Sequence, residues 1–305
     1  MTSTRRIARP VVCGWMGLAA AGGFLVAPGV SVAGAADLFY ERTVMAAADQ
    51  RCGLFEPAVS AALAAGRIQA QGAAIRAGAS KATLAKVERR ATTKAASTAC
   101  ASPDLAIAAS RVRNAYEAYA QLSRMSYPGE MAEWRADRTG GAAPRWRLQQ
   151  AASFGSDRMV FGLAGRDGAT SLVAVATFPD GSAPYAARLV LRDTATTLGP
   201  YLDMRGQPIS TLPLARRLPP SSGQVAFAAE ARSAATKGLL PAGAKSGWAF
   251  RFPYEAAQAL AELDPREAVA IEFLFSGGGK DNVRKAYVEV GDFAAGRAFL
   301  RIATR

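Results

Sequence analysis

The chain contains no histidine among its 305 residues. That absence removes Ser-His-Asp and Cys-His nucleophilic catalysis, and it removes imidazole from any metal site. Cysteine is nearly as scarce, with three in all. Cys13 lies in an N-terminal apolar run, which leaves Cys52 and Cys100. Their spacing excludes a CxxC-type redox pair, and two thiols without histidine are too few to hold a metal. No lysine has a serine three positions before it, so the Ser-x-x-Lys nucleophile pattern is missing. Gly277-Gly278-Gly279-Lys280 does not make a phosphate loop. Leu274 stands where the first glycine is required and Asp281 where Ser or Thr should be. Beyond the N-terminus no segment approaches the length of unbroken apolar sequence that a bilayer requires, so no second span is predicted. No catalytic, cofactor-binding or metal-binding residue is assigned, and no cofactor is implied.

The N-terminus carries Arg5, Arg6 and Arg9, then an apolar run from Val11 to Val32 rich in Gly and Ala. Small residues follow at Ser31-Val32-Ala33 and Ala33-Gly34-Ala35. This is the pattern of a secretory signal peptide over residues 1–35. A membrane anchor is the alternative, and Pro28 and the glycines weigh against it. The expected location is therefore periplasmic or secreted. In such a compartment a lone cysteine pair is usually joined, so Cys52 and Cys100 are expected to form a disulfide. Removing the three leader arginines would lower the formal charge from +13 to +10. The charges are scattered, which is the habit of a solvated surface. The partners such charge admits are an envelope protein or an anionic polymer. Nucleic acid is not expected, because no basic helix or aromatic-basic strand motif is present.

Residues 36–125 read as a helical module. Leu38, Val44, Met45 and Ala48 fall at helical spacing, and Gly53 breaks that helix. Pro57 opens a second and Gly78 lies past its end. Ser80 caps a third, with Leu84 and Val87 inward. Ser102-Pro103-Asp104 opens a fourth that carries Leu105, Val112, Tyr116 and Tyr119. Tyr116 and Tyr119 are expected at the edge of the core. The core is mostly alanine, so a disulfide stapling the helices is physically useful. Residues 126–143 hold Pro, Gly and mixed charge and read as a linker, with Trp134 inside it and Trp146 just after it.

From Trp146 the pattern turns to β. Strands are predicted at Met159–Leu163, Leu172–Phe178, Tyr185–Leu191 and Val225–Ala231, with turns at 165–168 and 179–181. Trp248, Phe250 and Phe252 alternate in a further strand, Ala256 to Leu263 form a short helix, and Ala268–Phe275 pairs with Val283–Val290. Gly291-Asp292 then opens a last helix, with Phe293 anchoring it and Asp292 capping it through its side chain. Residues 144–305 thus read as a mainly antiparallel, β-sandwich-like domain with two short helices, and the whole chain as α+β.

Gly291, Phe293, Ala295 and Leu300 resemble a short motif of the invasion-associated locus B family of exported alphaproteobacterial proteins, although Asp292 separates a glycine and phenylalanine that are adjacent there. That resemblance covers the C-terminal stretch and implies a β-sandwich in the bacterial envelope, without an activity. The function expected from the sequence is binding, or a structural or accessory role, in the envelope. The alternative is a carboxylate-dependent hydrolase of an envelope polymer. Its acids would be Glu272 with Glu289, or Glu289 with Asp292. Ion pairing of these acids with Arg284, Lys285 or Arg297 is the competing use.

Overall fold

A computed structural model describes residues 32–166, 168–202, 208–277 and 282–302. The leader to Ser31, the phosphate-loop-like Gly278 to Lys280 and Asp167 in the first β turn lie outside these. Four helices come first: α1 (Val32–Cys52), α2 (Pro57–Arg76), α3 (Lys81–Ser97) and α4 (Pro103–Gln121). Proline opens α2 and α4, where its missing N–H costs nothing. Ser80 caps α3 by accepting from the Thr83 N–H at 3.1 Å. Ser102 precedes α4 but makes no side-chain cap. Cys52 ends α1 and is bonded to Cys100, just before α4, with Cα atoms 5.7 Å apart.

Among the described residues eleven strands follow: β1 (Arg124–Pro128), β2 (Glu133–Asp137), β3 (Arg145–Phe154), β4 (Asp157–Arg166), β5 (Ala169–Thr177), β6 (Ala186–Arg192), β7 (Gln224–Ala228), β8 (Ala231–Ala234), β9 (Trp248–Arg251), β10 (Ala268–Phe275) and β11 (Asn282–Glu289). They make two antiparallel sheets, ordered β1-β2-β3-β4-β5-β9-β8 and β11-β10-β6-β7. Helix α5 (Tyr254–Ala261) joins β9 to β10, and α6 (Phe293–Leu300) closes the described chain. The β10–β11 pairing of Ile271 with Ala286 and Val269 with Val288 points these apolar residues into the space between the sheets. There they meet Leu148, Phe161, Leu172 and Phe250 of the larger sheet. A second, smaller core lies on the other side of that sheet, where Leu239 covers Trp146, Val160 and Val175. Strands β4 and β5 are therefore buried on both faces, which explains their long apolar runs.

The stretch 126–143 is not a linker. It holds most of β1 and all of β2, and its Trp134 is fully buried between Phe161 and Phe293. The indole N–H donates to the Glu289 and Val290 carbonyls, so it fastens β2 to the start of α6. Trp134 thus plugs the β domain and not the junction with the helices. That junction is made by other contacts. Tyr119 of α4 meets Phe299 of α6 edge-on at 5.5 Å, and Ile302 sits with Val59 and Tyr116. Arg76 of α2 reaches Asp292 with two hydrogen bonds, at 2.5 and 2.8 Å.

Phe293 anchors α6, as expected, with no exposed surface. Asp292 does not cap that helix, because both its oxygens are turned to Arg76. Gly291 is required here by geometry. Its φ is +47°, and a Cβ would lie 3.2 Å from the Trp134 ring.

Candidate functional site

An open cleft of about 780 Å³ lies where the β4–β5 hairpin, the end of β9 and helices α5 and α6 meet. Its floor is apolar, from Leu163, Leu172, Phe252, Ala257 and Leu300. Its walls are cationic. Six arginines, at 138, 147, 166, 251, 297 and 301, face two glutamates, Glu230 and Glu255, among the described lining residues. No two of these arginines are close in sequence except Arg297 on α6 and Arg301 just past its end.

Three arginines are sunk into the protein and held by backbone or amide oxygens. Arg138 follows β2 and donates to the carbonyls of Tyr119, Ala120, Leu122 and Ile302. It thus satisfies the last turn of α4, where carbonyls lack helical partners and favour a cation. Its guanidinium also lies over the Phe299 ring, 4.1 Å from the centroid. Arg147 is the extra residue of a bulge in β3, where the pairing with β4 shifts between Trp146 and Leu148. The bulge sends Trp146 to the outer core and Leu148 to the inner one, and turns Arg147 towards the cleft. Its guanidinium donates to the Thr139 carbonyl at 2.6 Å. Arg297 donates to the Ala257 carbonyl and to Oε1 of Gln258.

The other three arginines stand at the mouth. Arg251 is half-exposed and lies 3.9 Å from Glu230, a loose pair worth little in water. Arg166 and Arg301 are exposed, and no acid among the described residues is within ion-pair reach of either. Tyr254 stands at the rim with 63% of its surface exposed, its hydroxyl accepting from Gln258. Burial lowers the pKa of Arg138, Arg147 and Arg297; Arg145 lowers Arg147 further and Arg301 lowers Arg297 further. Guanidinium groups remain charged at neutral pH even so. Burial is the largest cause in all three, and Arg301 acting on Arg297 is the like-charge effect between two arginines of the cleft itself.

The acids singled out in the sequence are not part of this cleft. In the β10–β11 hairpin Glu272 is opposite Lys285 and Glu289 is opposite Ala268. The two carboxylates sit four pairs apart, roughly 13 Å along the strands. Glu272 is bonded by Arg188 and by Lys285. Burial acts to raise its pKa, but these two cations outweigh burial and hold it below the ordinary value. Glu289 is completely buried and accepts from the backbone N–H groups of Glu130, Met131 and Ala132 at 2.8–3.0 Å. Arg217, also fully buried, lies 3.5 Å from it. Asp292 is raised by burial, lowered by Arg76 and raised by Glu289, with burial the largest effect. Of the expected cationic partners, Lys285 does pair with Glu272, whereas Arg284 takes Asp157 and Asp180, and Arg297 faces the cleft.

Other surface features of the described residues also carry charge. A groove of about 420 Å³ between α2, α3 and the β domain is lined by both signs, much of it already paired, as in Arg266 with Asp264. The exposed strip Lys86, Arg89, Arg90 and Lys94 on α3 is shallower and helical in spacing. No family model, curated protein or solved structure matches this chain.

Proposed function

We propose that this chain is an exported bacterial envelope protein that acts by binding, and that its ligand is anionic and enters the arginine cleft. The observation that carries this is the six-to-two excess of arginine over glutamate among the described residues that line one cavity. Buried arginines crowd the cleft with positive charge, and exposed ones at its mouth offer forked donors suited to carboxylate or phosphate. Export is supported by the basic, apolar and small-residue pattern of the N-terminus and by the Cys52–Cys100 bond. The partner class is an anionic envelope polymer, or an envelope protein presenting an acidic surface.

Carboxylate-dependent hydrolysis has weaker support, because each candidate acid is already committed. Glu289 is sealed under three backbone donors, Asp292 is held by Arg76, and Glu272 is held by Arg188 and Lys285. The test is titration of polyglutamate into the exported chain by calorimetry, against the triple variant Arg166→Gln, Arg251→Gln, Arg301→Gln. These side chains are exposed, so the fold should survive, and circular dichroism checks that. Saturable binding that weakens with salt and is lost in the variant is expected. Binding of equal strength in the variant overturns the assignment.

A further inference from the structure

Resting on the anionic-ligand reading, we propose that the cleft takes an acidic oligosaccharide, with Tyr254 as the platform for a sugar ring and Arg251 as a carboxylate contact that Glu230 covers in the empty state. Three features of the cleft point to this ligand. First, its charge exceeds what one anionic group would answer, with arginines supplied from β4, β9 and α6 around a single space. A ligand bearing several carboxylates along its length matches that distribution. Second, the rim presents an aromatic ring in a position that folding alone does not require. Tyr254 is 63% exposed at the head of α5, its hydroxyl tied to Gln258 and its ring beside the Arg297 guanidinium, 5.6 Å from the centroid. A ring fixed in this way offers one open face to the apolar side of a sugar, beside cations that bind the sugar's acids. Third, Thr170 and Ser171 add hydroxyl groups to the lining, which are partners for uncharged sugar hydroxyls.

A nucleic acid strand is a poorer match. Successive bases need successive stacking faces. The other aromatic side chain lining the cleft, Phe252, is buried in the floor. The volume, about 780 Å³, falls in the range of roughly 300–1,000 Å³ typical of sites that enclose a small ligand.

Glu230 gives the proposal a signature of its own. Its carboxylate lies 3.9 Å from Arg251 and both side chains are about half exposed. A ligand carboxylate on Arg251 would compete with it. Removing its charge should strengthen binding, unlike most substitutions in a site.

The experiment titrates tetragalacturonate, maltotetraose and pyrophosphate into the parent chain and into Tyr254→Ala and Glu230→Gln. Tetragalacturonate should bind and maltotetraose should not. Tyr254→Ala should weaken tetragalacturonate roughly tenfold and leave pyrophosphate within about twofold. Glu230→Gln should tighten tetragalacturonate about threefold, the scale of an exposed ion pair. If Tyr254→Ala weakens both anions equally, or neither, the sugar platform is wrong while the anionic cleft stands. If an oligonucleotide of equal charge binds more tightly than tetragalacturonate, the ligand class is wrong. If no anion binds in an arginine-dependent manner, the anionic-ligand reading itself falls.

Discussion

Replacing Asp292 by asparagine keeps the side chain's shape and removes its charge. Its carboxylate is 3% exposed and Arg76 is 12% exposed, so the variant leaves a nearly buried guanidinium without its counter-charge. Breaking a buried pair from one side typically costs about 3–5 kcal/mol. Had Asp292 been only the cap of α6, its loss would cost about 1 kcal/mol. We expect Asp292→Asn to cost about 3 kcal/mol at neutral pH. The converse variant, Arg76→Met, should behave differently with pH. Without Arg76, burial and Glu289 act on Asp292, and both raise its pKa. A carboxyl whose folded pKa is raised binds its proton more tightly when folded. The Arg76→Met variant should therefore recover stability relative to the parent as pH falls through that raised pKa. The double variant, with neither charge buried, should lie within about 1 kcal/mol of the parent. Urea unfolding followed by tryptophan fluorescence measures this, since Trp134, Trp146 and Trp248 all lie in strands while Arg76 lies on α2. A cost near 1 kcal/mol for Asp292→Asn, additive with Arg76→Met, would refute the buried pair and the coupling of helices to sheet.

Phe293→Ala removes a ring packed 5.1 Å from Trp134 and should cost about 3–5 kcal/mol, lowering the urea midpoint; an unchanged midpoint would mean that α6 is not docked. Reducing Cys52–Cys100 opens a loop of 48 positions and should cost roughly 4 kcal/mol by chain entropy, read as a fall in the helical module's thermal midpoint with reductant. Glu272 has a lowered pKa, so its stabilisation is present above the ordinary glutamate value and lost as pH falls through the folded one. The gap between parent and Glu272→Gln should thus be widest near neutral pH and close in acid, and a gap independent of pH contradicts this.

Much of the β domain was legible because its alternation is strict. Val269, Ile271, Phe273 and Phe275 predict β10 with the limits observed, and Phe293 with Leu300 predicts α6. Strands β1 and β2 were not legible. Each has five residues, and each lies among Pro, Gly and charged residues. The one signal was Trp134, a large ring that a solvated linker would have no reason to keep. The Asp292 cap failed because a residue 216 positions away competes for the same oxygens, and local pattern cannot show that. The cleft was illegible for the same reason. Its arginines come from the β2–β3 connection, the β3 bulge, β4, β9 and α6, so even scatter in sequence conceals clustering in space. Arg138 and Arg147 look solvated until the α4 carbonyls and the bulge are seen.

Arginine Nε–Hε resonances report residue by residue where an anion binds. During titration with a short oligoglutamate, the signals of Arg166, Arg251 and Arg301 should shift saturably and together, while Arg89 and Arg90 on α3 stay in place. Shifts concentrated on α3, or spread evenly over every exposed arginine without saturation, would contradict the cleft as the binding site.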